Sequence, residues 1–201
     1  MNCFLGYYNK SVILTYAGAA AAVAGMGLAF SGKIKEAVLC LIFCGVADLF
    51  DGMIARRCKR TDEEKEFGIQ IDSLTDMASF ALFPPAISFA VGNTGIISVL
   101  ISAFYVIACI TRLGFFNVST SVGAETKFYT GLPATFASLI VVGAYIIGKI
   151  TGLFSVIMPA VLLVTGLLFI LKIKIAKPRG KAYIFLGLLA IALAVTVGVM
   201  K

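Results

Sequence analysis

Seven apolar runs, each about as long as a membrane helix, leave this chain few ways to fold. They fall at about 11–30, 34–57, 68–91, 96–116, 132–147, 153–171 and 182–200. A run of about 20 apolar residues spans a hydrocarbon layer of roughly 30 Å as a helix, the segment that satisfies its own backbone polar groups there. Hydrophobic residues make up 60% of the 201, above the roughly 45–50% of soluble domains. The expected fold is all-α, a polytopic transmembrane helical bundle. No polar linker or low-complexity segment divides it, so residues 1–201 read as one integral membrane domain. The first run could pass for a signal peptide, but the residues before it are barely basic and further runs follow, so it reads as a retained span.

Charge orients the bundle. The net charge of +7 lies in the loops between apolar runs, the pattern of cytoplasmic loops facing anionic headgroups, and does not point to nucleic acid. With the N-terminus in the cytoplasm, that side receives Lys10, Arg56, Arg57, Lys59, Arg60, Lys65, Lys127, Lys172, Lys174, Lys177, Arg179 and Lys181. The other side receives Lys33, Lys35, Lys149 and Lys201, and Arg112 falls within a span. Twelve against four places the N-terminus, and the loop between the second and third runs, in the cytoplasm.

Four aspartates interrupt this apolar pattern. Asp48 and Asp51 lie near the end of the second run, Asp72 and Asp76 near the start of the third. Spacings of three and four put each pair on one helix face, and a hairpin brings the pairs together. Asp48 and Asp76 are some eight or nine residues into their runs, roughly 12–14 Å at 1.5 Å per residue, which is deeper than solvated helix ends. A carboxylate at such depth costs about 2.5–3.5 kcal/mol on insertion scales, so a counter-charge is expected. The chain has no histidine, and its five cysteines form no CxxC pair. Oxygen ligands alone suit Mg²⁺, Mn²⁺ or Ca²⁺, and two such ions sharing carboxylates form the kind of site that assists phosphoryl transfer. Asp62, Glu63, Glu64 and Glu66 read instead as a solvated charge run.

The pattern Asp48-x2-Asp51-Gly52-x2-Ala55-Arg56, then Gly68-x3-Asp72-x3-Asp76, resembles the signature of the CDP-alcohol phosphatidyltransferases. The gap from Arg56 to Gly68 is longer than is usual there, and the Pro-Asn-x-x-Thr stretch before the first span is absent, with Thr15 standing in for its threonine. The resemblance implies a six-helix core, here with an extra C-terminal span, and a homodimer. It implies that Asp48, Asp51, Asp72 and Asp76 hold two divalent cations on the pyrophosphate of a CDP-linked lipid, that Gly52, Ala55, Arg56 and Gly68, with Thr15, surround that lipid, and that Asp76 is the general base for the acceptor hydroxyl.

A second stretch bears on the acceptor. Arg112-Leu113-Gly114-Phe115-Phe116-Asn117 and Lys127-Phe128-Tyr129-Thr130-Gly131-Leu132-Pro133 are similar to the RLxRFN and F-x-GLP segments of phosphatidylserine synthases, departing at Gly114-Phe115. That similarity implies CDP-diacylglycerol and L-serine as substrates, with Arg112, Asn117 and Lys127 at the acceptor. Arg112 also fits a snorkelling arginine at the headgroups, and Lys127 a solvated loop residue. Phosphorylated acceptors such as glycerol 3-phosphate or inositol phosphate are the near alternative, since the aspartates do not select the alcohol. A divalent-cation transporter is the distant one, in which Gly52 and Arg56 have no evident role.

Overall fold

The computed structural model describes residues 5–10, 12–121, 128–176, 178 and 180–200. Among them are seven helical rods. They are α1 (Ile13–Phe30), α2 (Ile34–Arg57), a composite rod of α3 (Asp62–Asp76), a π-helical segment (Met77–Leu82) and α4 (Phe83–Ala90), then α5 (Ile96–Ser121), α6 (Phe136–Thr151), α7 (Phe154–Ile170) and α8 (Lys181–Val199). By length and composition α1, α2, α5 and α8 can each cross a membrane; α6 and α7 are shorter apolar helices. The protein is a polytopic helical membrane protein.

Small residues let α1 and α2 approach closely. Gly18, Ala22, Gly25 and Ala29 are buried on one face of α1, against Ala37, Val38, Leu41 and Cys44 of α2. A Cβ at Gly25 would stand 2.2 Å from Phe83 Cζ and 2.8 Å from Cys40 Cβ, so glycine there admits the Phe83 ring of α4. The opposite faces carry large exposed apolar side chains, among them Ile184, Phe185, Leu188 and Ile191 on α8. That distribution suits helices surrounded by lipid.

The rod bearing Asp72 and Asp76 starts earlier than the apolar pattern indicates. Thr61 caps α3: its hydroxyl accepts from Glu64 N–H at 3.2 Å, and the Glu64 carboxylate accepts from Thr61 N–H at 2.9 Å. This reciprocal box turns the start of the charged loop into helix, with Asp62, Glu63 and Glu64 in the first turn, where the helix dipole favours acids. The Thr61 N–H holds the Glu64 carboxyl below its ordinary value, and a hydrogen bond from Lys65 does the same for Asp62.

Pro84 and Pro85 shape this rod. Neither has an N–H, so the Phe80 carbonyl lacks its donor both in the α register (residue 84) and in the π register (residue 85). The helix widens into the π segment immediately before them, and the buried Tyr105 hydroxyl of α5 donates to Phe80 O at 2.6 Å.

Among the described residues, two three-residue strands add to the helices. β1 (Phe128–Thr130) pairs antiparallel with β2 (Lys174–Ala176), Tyr129 opposite Ile175. Gly131 follows at φ 80°; its N–H donates to Ile173 O at 2.8 Å, and a Cβ there would lie 2.6 Å from Phe169 O. Leu132 N–H then bonds Leu168 O at 3.0 Å, fixing the approach to α6.

Candidate active site

The α2–α3 hairpin brings the four aspartates together. One carboxylate oxygen from each of Asp48, Asp72 and Asp76 lies within 4.8 Å of the other two. Asp48 meets Asp76, and Asp51 meets Asp72, each pair carboxylate to carboxylate across the hairpin. Asp51 and Asp76 are only 6% and 8% exposed. Thr15 of α1 donates to Asp51 Oδ2 at 2.9 Å, and the Thr135 hydroxyl donates to Asp48 Oδ2.

Among the described residues, little balances this charge, and Arg112 is the cation facing Asp48, Asp72 and Asp76. Among the described residues, though, the one ion pair within 4.0 Å is the exposed Lys65–Asp62 contact. Buried carboxylates in contact repel unless a cation or a proton lies between them. Four oxygen-donor side chains, clustered and under-compensated, therefore fit hard divalent cations.

These residues line a cavity of about 210 Å³. Asp48, Asp51, Asp72, Asp76, Gly52, Arg56 and Arg112 line it, with Ser73, Tyr129, Thr135 and Tyr183 as further polar groups. Ile42, Val46, Leu49, Leu139, Leu186 and Ala190 form apolar wall. A cavity acidic in one part and apolar in another suits a substrate with a charged head and hydrocarbon chains.

Arg112 is 8% exposed, its Nε lacks a hydrogen-bond partner among the described residues, and its guanidinium lies 5.1 Å from the Phe116 ring centroid. Tyr129 packs against Phe116, ring centroids 5.9 Å apart, and burial pushes its phenol above the ordinary value, so it remains an O–H donor at neutral pH. Arg56 is more exposed; its Nε donates to Gly52 O at 3.1 Å.

Other residues singled out from the sequence stand further back. Thr15 reaches the site through Asp51. Asn117 accepts from Ser73 Oγ at 3.0 Å, and Ser73 rather than Asn117 lines the cavity. Ala55 and Gly68 are not among the lining residues; a Cβ at Gly68 would stand 3.3 Å from Arg60 Nη1. Lys127 lies outside the described residues. Ser73 follows Asp72 inside the aspartate pattern and Tyr129 lies inside the Lys127–Pro133 stretch, though neither takes a role from the sequence; Thr135 and Tyr183 lie outside every motif. Of these two, Thr135, two residues after the Gly-Leu-Pro segment, is the one such a motif could have flagged.

A helical membrane bundle whose buried carboxylates face an amphiphilic cavity is the architecture of a lipid-modifying site. The chain belongs to the CDP-alcohol phosphatidyltransferase family, whose model matches residues 8–196. It is similar to the archaetidylserine synthase of Methanothermobacter thermautotrophicus, 29% identical over 144 residues, 70% of this chain and 60% of that protein. It is also similar to the CDP-diacylglycerol–serine O-phosphatidyltransferases of Saccharomyces cerevisiae, 35% identical over 109 residues (51% and 38% of the two chains), and of Helicobacter pylori, 38% identical over 96 residues (47% and 40%). The matched regions thus cover 38–60% of the length of these relatives.

Proposed function

We propose that the protein transfers a phosphatidyl group from CDP-diacylglycerol to L-serine, yielding phosphatidylserine and CMP. The observation that carries the choice of acceptor is Arg112: a buried guanidinium with an unpartnered Nε, in the same cavity as the aspartates. A planar guanidinium binds a carboxylate through two parallel N–H bonds. The relatives' names support the same acceptor. A phosphorylated acceptor would call for more cationic groups at the acceptor than Arg112 and Lys127, the two candidates there, supply, with Arg56 on the CDP side.

In this reading the serine hydroxyl attacks the phosphorus of the phosphatidyl group. A new P–O bond forms as the P–O bond to CMP breaks, and Asp76 takes the hydroxyl proton. Arg112 orients the serine carboxylate, Gly52 and Arg56 flank the CDP group, and the apolar wall receives the acyl chains. Two divalent cations, Mg²⁺ or Mn²⁺ with Ca²⁺ as a further candidate, would be held by Asp48, Asp51, Asp72 and Asp76 and would neutralise the pyrophosphate. The excess of basic residues in the loops supports a cytoplasmic site and N-terminus. The family resemblance supports a homodimer.

The test is CMP release by purified protein given CDP-diacylglycerol, Mn²⁺ or Mg²⁺, and a panel of alcohols. Serine-dependent release is expected. Release with glycerol 3-phosphate but not serine would reassign the acceptor, and no release with any alcohol would overturn the enzymatic reading. A CDP-linked archaetidyl lipid belongs in the donor panel, because one relative is named for an archaetidyl product.

A further inference from the structure

Asp48 is held from the far side of the cavity. The Thr135 hydroxyl, at the N-terminal end of α6, donates to its Oδ2. Thr135 also lines the cavity, so it stands in the wall of the site.

Local geometry accounts for its placement. Ser138 Oγ donates to Thr135 O at 2.7 Å, which tightens the first turn of α6. Ser138 in turn occupies space left by Gly45 of α2, where a Cβ would lie 2.5 Å from Ser138 Oγ. Gly45 is one helical turn before Asp48, so the close approach it permits brings Thr135 within reach of that carboxylate. On the other side, the backbone bonds of Gly131 and Leu132 to Ile173 and Leu168 anchor the segment leading into Thr135.

A carboxylate on a two-torsion side chain can turn in several directions. With Oδ2 engaged by a hydroxyl, the Asp48 carboxylate is held in the orientation that sets an oxygen within 4.8 Å of oxygens of Asp72 and Asp76. We propose that Thr135 is a positioning residue, fixing the Asp48 carboxylate so that it serves as a ligand for a divalent cation. The inference rests on the divalent-cation reading above. A second partner that orients a metal-ligating side chain typically contributes about 10–100-fold to metal affinity.

The experiment is Mn²⁺ binding to purified protein without substrates, by electron paramagnetic resonance, for wild type, Thr135→Val and Thr135→Ser. Valine keeps the shape and removes the donor; serine keeps the donor. The expected result is Mn²⁺ affinity lowered about tenfold or more in Thr135→Val and near wild type in Thr135→Ser. Equal affinity in wild type and Thr135→Val would overturn the inference, as would equal losses in both variants, which would assign the effect to packing. Wild-type protein that binds no Mn²⁺ would overturn the cation reading itself and this inference with it. Should Thr135→Val not fold, Thr135→Ala makes the same comparison against serine.

Discussion

Removing one oxygen atom from Tyr105 tests how the rod that carries Asp76 is held. In Tyr105→Phe the Phe80 carbonyl loses its 2.6 Å donor, and Pro84 and Pro85 leave it no backbone substitute in either helical register. Tyr105 is fully buried, so water does not replace the hydroxyl. The ring contact with Phe169, centroids 5.5 Å apart, survives the change. An unpaired buried carbonyl costs about 1–3 kcal/mol, whereas hydrogen bonds inside membrane proteins average about 0.6 with a maximum near 1.7 kcal/mol, because broken partners usually find others. Here the prolines remove the obvious others, which puts the expected loss near that maximum, about 1.5 kcal/mol.

For a chain of this size 1 kcal/mol corresponds to about 2–4 °C in unfolding temperature, so Tyr105→Phe should unfold about 3–6 °C below wild type in detergent. The cause is separable from general damage. Pro84→Ala restores an N–H four residues after Phe80, and in the Tyr105→Phe background it should recover at least half of the loss. A Tyr105→Phe protein unfolding with wild type, or a Pro84→Ala change with the same effect in both backgrounds, would refute the reasoning.

Three further changes probe the site and its packing. Asp76→Asn removes the proton acceptor, and serine-dependent CMP release should fall by at least about 10²–10⁴-fold; near-normal turnover would remove Asp76 from the role of base. Arg112→Lys replaces a two-pronged donor by a point charge and should raise the KM for serine about 10-fold or more, the loss expected of a hydrogen bond to a charged group, with little change in the KM for CDP-diacylglycerol. Gly25→Val places side-chain atoms where Phe83 stands 2.2 Å from the Cβ position. Overpacking of this kind costs about 1–3 kcal/mol or more, read as lower yield of folded protein and a lower unfolding temperature.

The bundle was legible because lipid imposes a simple rule: backbone polar groups must be satisfied within each segment, so long apolar runs become helices. Departures arise where a local polar group or a distant partner intervenes. The Thr61–Glu64 box begins α3 inside what reads as a solvated charge run, though the Thr-x-x-Glu spacing is itself a start signal. The paired prolines announce a break in the rod, but not that it takes π form or that a hydroxyl from α5 completes it. The β1–β2 pairing joins two three-residue segments far apart in the chain, each too short to show a two-residue alternation.

The same distinction divides the site. Asp48, Asp51, Asp72 and Asp76 were legible because a carboxylate in an apolar run is expensive, and one hairpin suffices to bring the four together. Arg112 was legible as a charge within a span, although whether it faces lipid headgroups or the aspartates depends on how α5 is rotated. The groups that orient the carboxylates come from elsewhere: Thr15 from α1 to Asp51, Thr135 from the start of α6 to Asp48. A lone threonine in or beside an apolar run costs little and so leaves no physical anomaly to notice, and only the family resemblance singles out Thr15. Its role exists only once tertiary packing sets it against a carboxylate, which for Thr135 depends on the absence of a side chain at Gly45. Residues that are costly to bury thus mark the chemistry in the sequence, while inexpensive ones acquire a part in it only through the fold.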